Sequence, residues 1–179
     1  MAIKTFTTGE VLTASDTNTY LANSGLVFVK AQTIGNNVPS VTVTDAFSAT
    51  YDNYKITLNG GTAAGSAAIT LQLGASITGY YQGLSYVTYS TGAWNVLPVN
   101  NGAVWSYAME GLTTNMVGNL DLMNPFNARI TNLLGFYPGS VGGFIAGYHG
   151  VAASYTSFTL ACAANMTGGT ITVYGYRKA

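Results

Sequence analysis

Short segments in which every second residue is apolar recur along this sequence and constrain its fold more than any other feature. In "NYKITLN" (53–59), Tyr54, Ile56 and Leu58 share one face of an extended chain. The same alternation occurs in "VTV" (41–43), "AITLQLG" (68–74), "SFTLAC" (157–162) and "TITVYG" (170–175). A period of two is typical of strands that bury one face against a core.

The breaks between these segments contain turn residues. They are "NGGTAAG" (59–65), "YSTGAW" (89–94), "VNNGA" (99–103), "YPGSVGG" (137–143) and "TGG" (167–169). Glycine, asparagine and proline at such positions favour tight reversals of the chain. Strands joined by short turns, without a second helical pattern, predict an all-β, antiparallel β-sandwich of the jelly-roll type over residues 26–179.

One helix signal precedes the strands, in "LTASDTNTYLANSG" (12–25). Thr13 is placed to cap the first turn, with Asp16 three residues later and Gly25 in the position of a left-handed cap. A helix of about ten residues is marginal on its own, so residues 1–25 are predicted to be an arm that docks on a partner. The residues expected to carry the attachment are Phe6, Leu12, Thr13, Asp16, Tyr20 and Leu21.

Charged residues make up only 7% of the chain, and six basic side chains balance six acidic ones. A net charge of zero gives no electrostatic reason to expect a nucleic-acid partner. It also removes the repulsion that keeps identical copies apart. The apolar runs are short and no secretory signal opens the chain, so we expect synthesis in the cytoplasm without membrane insertion.

Candidate catalytic residues are few. His149 is the only histidine, and no nucleophile-elbow sequence accompanies it. Glu110 and Asp121 would serve a glycosidase or depolymerase only if they faced one another, whereas acids that flank a turn are usually solvated. One cysteine and one histidine match no metal-ligand spacing, and no phosphate-binding glycine motif occurs. We expect neither enzymatic activity nor a cofactor.

Aromatic side chains are concentrated in "GYYQGLSYVTYSTGAW" (79–94). Tyrosine and tryptophan flanked by polar residues serve as anchors at protein interfaces or stack on sugar rings, but they are also common in ordinary strand packing. The candidates for contact with a subunit or a glycan are Tyr80, Tyr81, Tyr86, Tyr89 and Trp94.

The opening "FTTGEVLTASDTNTYLANSGLVFV" (6–29) resembles a segment that leads into the first strand of tail-fibre, decoration and other structural proteins of tailed bacteriophages. The stretches "YDNYKITLNGG", "ITLQLG" and "TGYY", and the closing "TGGTITVYGYRK", resemble the body of the same modules. Residues 95–150 carry little that matches.

This resemblance implies a structural protein of the virion, displayed as a short fibre or decoration protein. It also implies a homotrimer whose N-terminal arm attaches to the capsid, tail or fibre base. The alternative is a carbohydrate-binding module that recognises a host surface glycan during adsorption.

Overall fold

A computed structural model of the chain describes residues 7–16 and 25–178. Almost all of the regular secondary structure in the described chain is β-strand, and the predicted all-β, antiparallel fold is confirmed. The elements are α1 (Ala14–Asp16), β1 (Leu26–Thr33), β2 (Val38–Val43), β3 (Asn53–Asn59), β4 (Thr62–Ala63), β5 (Ala67–Leu73), β6 (Tyr80–Thr88), β7 (Ala93–Gly102), β8 (Trp105–Gly111), β9 (Met116–Met123), β10 (Arg129–Tyr137), β11 (Val141–Ala153), β12 (Phe158–Thr167) and β13 (Thr170–Tyr176).

The strands form two layers of unequal width. The narrow layer has the order β2-β12-β5-β8, with the short β4 also paired to β12. The broad layer has the order β1-β13-β3-β9-β10-β11-β6-β7. Strands β8 and β9 connect the layers where Glu110 pairs with Val117 and Gly111 with Met116. The fold therefore shares two antiparallel layers with a jelly roll, but it sets five strands, counting the short β4, against eight.

The apolar residues that alternate in the sequence form the core between the layers. In β3, Tyr54, Ile56 and Leu58 are buried, as predicted. The predicted inward residues of the other strands are buried as well, apart from the half-buried Val41: Val43, Ile69, Leu71, Leu73, Phe158, Leu160, Cys162, Ile171 and Val173. Because each buried aliphatic or aromatic side chain contributes roughly 1.5–3 kcal/mol, this core is the main source of stability.

Strand β8 has an irregular register with its neighbour β5. Ile69 pairs with Met109, but Leu71 pairs with Trp105. Three residues of β8 (106–108) therefore lie opposite a single residue of β5. Such a bulge redirects the side chains beside it and interrupts the alternation of inward and outward positions. From the last residue of the bulge to the end of the strand, residues 108–111 are all buried.

Side chains bridge β8 to the broad layer at this bulge. The amide of Gln82 on β6 donates to the carbonyl oxygen of Tyr107 at 2.9 Å and accepts from its N–H at 3.1 Å. The indole Nε1 of Trp105 donates to the carbonyl oxygen of Tyr81 at 3.2 Å. Gln82 and Trp105 are both buried, so these bonds satisfy polar groups that are shielded from water.

His149 on β11 lies inside the core. Its Nε2 is 3.0 Å from the carbonyl oxygen of Thr78 and 2.9 Å from the hydroxyl of Ser76, while its Nδ1 is 3.4 Å from the hydroxyl of Tyr155. A carbonyl only accepts, so Nε2 carries the proton. Tyr80 packs on the ring at a centroid distance of 4.3 Å. Burial lowers the pKa of His149, because the charged form would lose its hydration.

We predict that His149 makes the fold sensitive to acid. Since its pKa is lower in the folded than in the unfolded chain, the unfolded state binds more protons below pH about 6.5. Its contribution to stability is therefore fully present above that pH and is lost as the pH falls toward the folded pKa. His149→Gln keeps a donor and an acceptor but does not titrate. Urea unfolding between pH about 7 and about 5 should show a smaller loss of stability for this variant than for the native chain. Equal losses in both proteins would contradict the prediction.

Candidate functional site

The outward side chains of β10, β11 and β6 form a surface that we call the outer face. It consists of Tyr81, Leu134, Phe136, Phe144, Ala146 and Tyr148. Phe136 pairs with Phe144 across the two strands, with ring centroids 5.3 Å apart. These two rings are 57% and 59% exposed. Large apolar side chains that adjoin one another at such exposure mark a surface for interaction.

The outer face exists because β10 is apolar on both sides. Leu133 and Tyr137 point into the core, while Leu134 and Phe136 point away from it. Strands that are apolar on both faces are typical of sheets covered on both sides. Farther along the same side of the layer, beyond the polar outward side chains of β9 and β3, Phe28 on β1 is exposed and its ring centroid lies 6.3 Å from that of Tyr174.

One ion pair lies beside the outer face, on β3 and β9. The ammonium of Lys55 is 3.0 Å from the carboxylate of Asp121 and donates to the side-chain oxygen of Asn119 at 2.9 Å. The hydroxyl of Tyr176 donates to Asp121 at 2.5 Å. Burial and the hydrogen bond to Asp121 raise the pKa of Tyr176 to about 12. The two opposite charges cancel locally, so the surface is polar at this point without a net charge.

A shallow cleft of about 300 Å³ joins the ion pair to the exposed rings. It is lined by Lys55, Asn119, Asp121, Leu134, Gly135, Phe136, Phe144, Ile145 and Ala146.

The structure contradicts the prediction that Tyr80 contacts a partner. Tyr80 is fully buried, and its hydroxyl accepts a hydrogen bond of 2.7 Å from the N–H of Leu73 on β5. Burial raises the pKa of Tyr80 to about 12. The alternation of β6 points this side chain inward, so Tyr80 connects the layers and does not reach the surface.

The other four aromatic candidates lie in three different environments. Tyr81 belongs to the outer face and stacks on Tyr148, with centroids 4.6 Å apart and planes inclined by 12°. Tyr86 is half-buried beside the core. Tyr89 and Trp94 are exposed near the turn between β6 and β7, and Trp94 is 61% exposed. These residues do not converge on one binding site.

The described part of the arm shows the predicted helix cap. The N–H of Asp16 donates to the hydroxyl of Thr13 at 3.1 Å, and the N–H of Thr13 donates to the Asp16 carboxylate at 3.2 Å. Gly25 has the expected positive φ of 77°. Leu12 is exposed, and Val11 is 79% exposed, so this stretch leaves its apolar side chains uncovered. Phe6, Tyr20 and Leu21, and the predicted helix beyond Asp16, lie outside the described residues.

The candidate catalytic residues form hydrogen bonds and ion pairs with different groups and not with one another. Asp121 is held by Lys55 and Tyr176, whereas Glu110 accepts hydrogen bonds from Ser140. The hydrogen bonds of the His149 ring go to hydroxyl and carbonyl groups. In residues 7–16 and 25–178, no three metal-ligating side chains lie close enough to hold an ion. The same residues include no helix with the length and apolar character for crossing a bilayer.

Sequence reasoning missed the outer face and the surroundings of Glu110. The signal for the first was present in "RITNLLGFY" (129–137), where apolar residues occupy both sides of the alternation. The second depends on a contact between Glu110 and Ser140, which are thirty residues apart and show no common pattern.

Comparisons with protein-family models, with curated proteins and with solved structures find no match for this chain.

Proposed function

We propose that this chain is a structural subunit of a tailed-bacteriophage virion, a short fibre or decoration protein that assembles as a homotrimer through its outer face. The observation that carries the proposal is the adjoining exposure of Phe136 and Phe144 on a face without net charge. The likeness of residues 6–29 to the opening of virion proteins supports the phage assignment.

The energetics of the outer face favour a contact between copies. Covering a half-exposed aromatic side chain contributes roughly 1 kcal/mol. Closed symmetry repeats each contribution on every subunit, so a few rings of this kind supply much of the free energy of association. Because Lys55 and Asp121 neutralise one another, identical faces meet without repulsion between like charges.

The N-terminal segment, residues 1–25, serves in this proposal as the attachment to the capsid, tail or fibre base. Its cap between Thr13 and Asp16 stabilises a helical turn, but Val11 and Leu12 remain exposed. A partner that covers these side chains would stabilise the helix and hold the subunit on the particle. Assembly and attachment therefore use different parts of the chain.

We predict that Phe136→Asp with Phe144→Asp dissociates the trimer, because the carboxylates would be buried without partners at the interface. Sedimentation equilibrium should give a species near three times the chain mass of 18.6 kDa for the native protein and near one chain mass for the variant. Ile77→Asp is the matched control, since Ile77 is exposed in the loop between β5 and β6. A monomeric native protein at micromolar concentration would refute the trimer.

Deleting residues 1–24 should leave the sandwich folded and trimeric but abolish its incorporation into particles. Incorporation is measured by co-sedimentation of the tagged chain with virions of the phage that encodes it. Thr13→Ala is the milder companion variant, because losing the N-cap residue costs about 1 kcal/mol and should reduce incorporation only in part. Normal incorporation of the truncated chain would rule out the arm as the attachment.

Carbohydrate binding is the second candidate, and the exposure of Trp94 near the turn between β6 and β7 favours it. The stacked pair of Tyr81 and Tyr148 offers another flat aromatic surface. If the chain recognises a host glycan, binding on a glycan array should be lost in Trp94→Ala or Tyr81→Ala and kept in Ile77→Ala. No binding across host surface glycans would eliminate this candidate.

A further inference from the structure

A second, smaller cleft lies beside β8 and shares no residue with the outer face. Its volume is about 180 Å³. It is lined by Leu84, Tyr86, Leu97, Tyr107, Glu110, Tyr137, Ser140 and Val141. Pockets for drug-sized ligands have volumes of roughly 300–1,000 Å³, so this cleft has room only for a small chemical group.

The carboxylate of Glu110 is the only acidic group in the lining, and it is deeply placed. Glu110 is 6% exposed. Its Oε2 accepts the N–H of Ser140 at 2.7 Å and its Oε1 accepts the hydroxyl of Ser140 at 2.5 Å. The carboxylate thus accepts one hydrogen bond at each oxygen, both from the same residue.

No cation of the described chain compensates this charge. The ion pairs among the described residues involve Asp45, Asp52 and Asp121, and none involves Glu110. A buried charge is costly unless an opposite charge or several hydrogen bonds accompany it. The two bonds from Ser140 meet part of that requirement and leave the negative charge itself unmatched.

Three tyrosines, Tyr86, Tyr107 and Tyr137, line the same cleft as this carboxylate. Tyr107 and Tyr137 meet edge to face, with centroids 6.5 Å apart and planes inclined by 77°, and Tyr86 completes the lining. Burial, and then the charge of Glu110, raise the pKa of Tyr137, so its phenol stays neutral. Neutral aromatic faces attract cations through their quadrupole, and several rings around one site form the cage that recognises ammonium groups.

The backbone on both sides of the cleft is adapted to this arrangement. The bulge in β8 precedes Glu110 and interrupts the alternation, so that Met109 and Glu110 are buried in succession. In the turn between β10 and β11, Gly139 has a φ of 152°, and a Cβ atom there would overlap Oε2 of Glu110. The turn therefore approaches the carboxylate more closely than any other residue type would allow.

We propose that this cleft binds an ammonium group, either the primary amine of a lysine side chain or a methylated ammonium such as that of choline. The cation would supply the charge that Glu110 lacks, and the rings of Tyr86, Tyr107 and Tyr137 would surround its methyl or methylene groups. None of the lining residues of this cleft belongs to the outer face, so ammonium binding and trimer assembly are measured at different surfaces.

The test is a titration of the full-length protein, followed by the amide NMR signals of Tyr107 and Ser140. The probes are choline, Nα-acetyl-lysine amide and 3,3-dimethylbutan-1-ol, the neutral carbon isostere of choline. We expect saturable shifts with at least one ammonium probe and binding at least about tenfold weaker for the isostere. Response to choline alone would indicate a small-molecule or headgroup ligand, and response to the lysine probe alone would indicate a protein ligand.

Variants test the residues directly. Glu110→Gln keeps an oxygen that accepts from Ser140 but removes the charge, and should weaken ammonium binding by about tenfold or more. Asp45→Asn is the matched control, since it makes the same change of charge on an exposed turn where asparagine tolerates the φ of 52°. Should Glu110→Gln unfold, Tyr86→Leu removes a half-buried ring instead and is also expected to weaken binding.

Three results would overturn the proposal. They are equal affinity for choline and its neutral isostere, unchanged ammonium binding in folded Glu110→Gln, and the absence of saturable shifts around Glu110 in the native protein. None of these results bears on the oligomeric state, which sedimentation measures separately.

Discussion

The contact between β8 and β6 across the sandwich is the interaction on which the rest of the structure depends. Strand β8 bulges against β5. At the bulge, the main chain of β8 bonds to the side chain of Gln82 in the opposite layer, and the indole of Trp105 donates to the carbonyl oxygen of Tyr81 there. Gln82 takes the place of a neighbouring strand for the main chain of Tyr107. Because Gln82 and Tyr81 are adjacent on β6, the same strand fixes β8 on its inner side and presents a ring of the outer face on the other.

The broad layer carries apolar side chains on both of its faces, and each of these faces must be covered to be shielded from water. Its inner face is covered by the narrow layer, whereas Leu134, Phe136 and Phe144 remain in water in the single chain. A low overall charge adds to this, since few ionic groups are present to keep copies apart in solution. A closed assembly of identical subunits would cover these exposed side chains, and the low charge allows identical faces to meet. This is the physical basis of the proposed trimer.

The alternation in the sequence was sufficient to predict the segments that pair and the side chains that they bury. Every predicted inward residue of β3, β5 and β12 is in the core. The register of these strands is strongly specified, since a slip of one residue would expose the whole apolar face. Tyr80 was wrongly predicted as a surface residue because clustering of aromatics in sequence says nothing about which face each one takes. In the arm, the cap between Thr13 and Asp16 was predictable since it is local.

The candidate sites were less predictable, and for definite reasons. In β10, apolar residues on both faces hide the period of two, so the strand gives no sign of which face is exposed. The cleft at Glu110 depends on a bulge and on a turn thirty residues away, and neither leaves a periodic pattern. Contacts of this kind follow from the tertiary arrangement and are not encoded in any short stretch of sequence.

The hydrogen bonds from Ser140 to Glu110 have a mechanical consequence. Ser140 lies in the turn of the hairpin whose two strands carry Phe136 and Phe144. The position of those two rings is thus fixed at one end by a carboxylate that belongs to the connection between the layers. Loss of these hydrogen bonds would free one end of the hairpin. The resulting displacement would reach the surface where neighbouring subunits are proposed to meet.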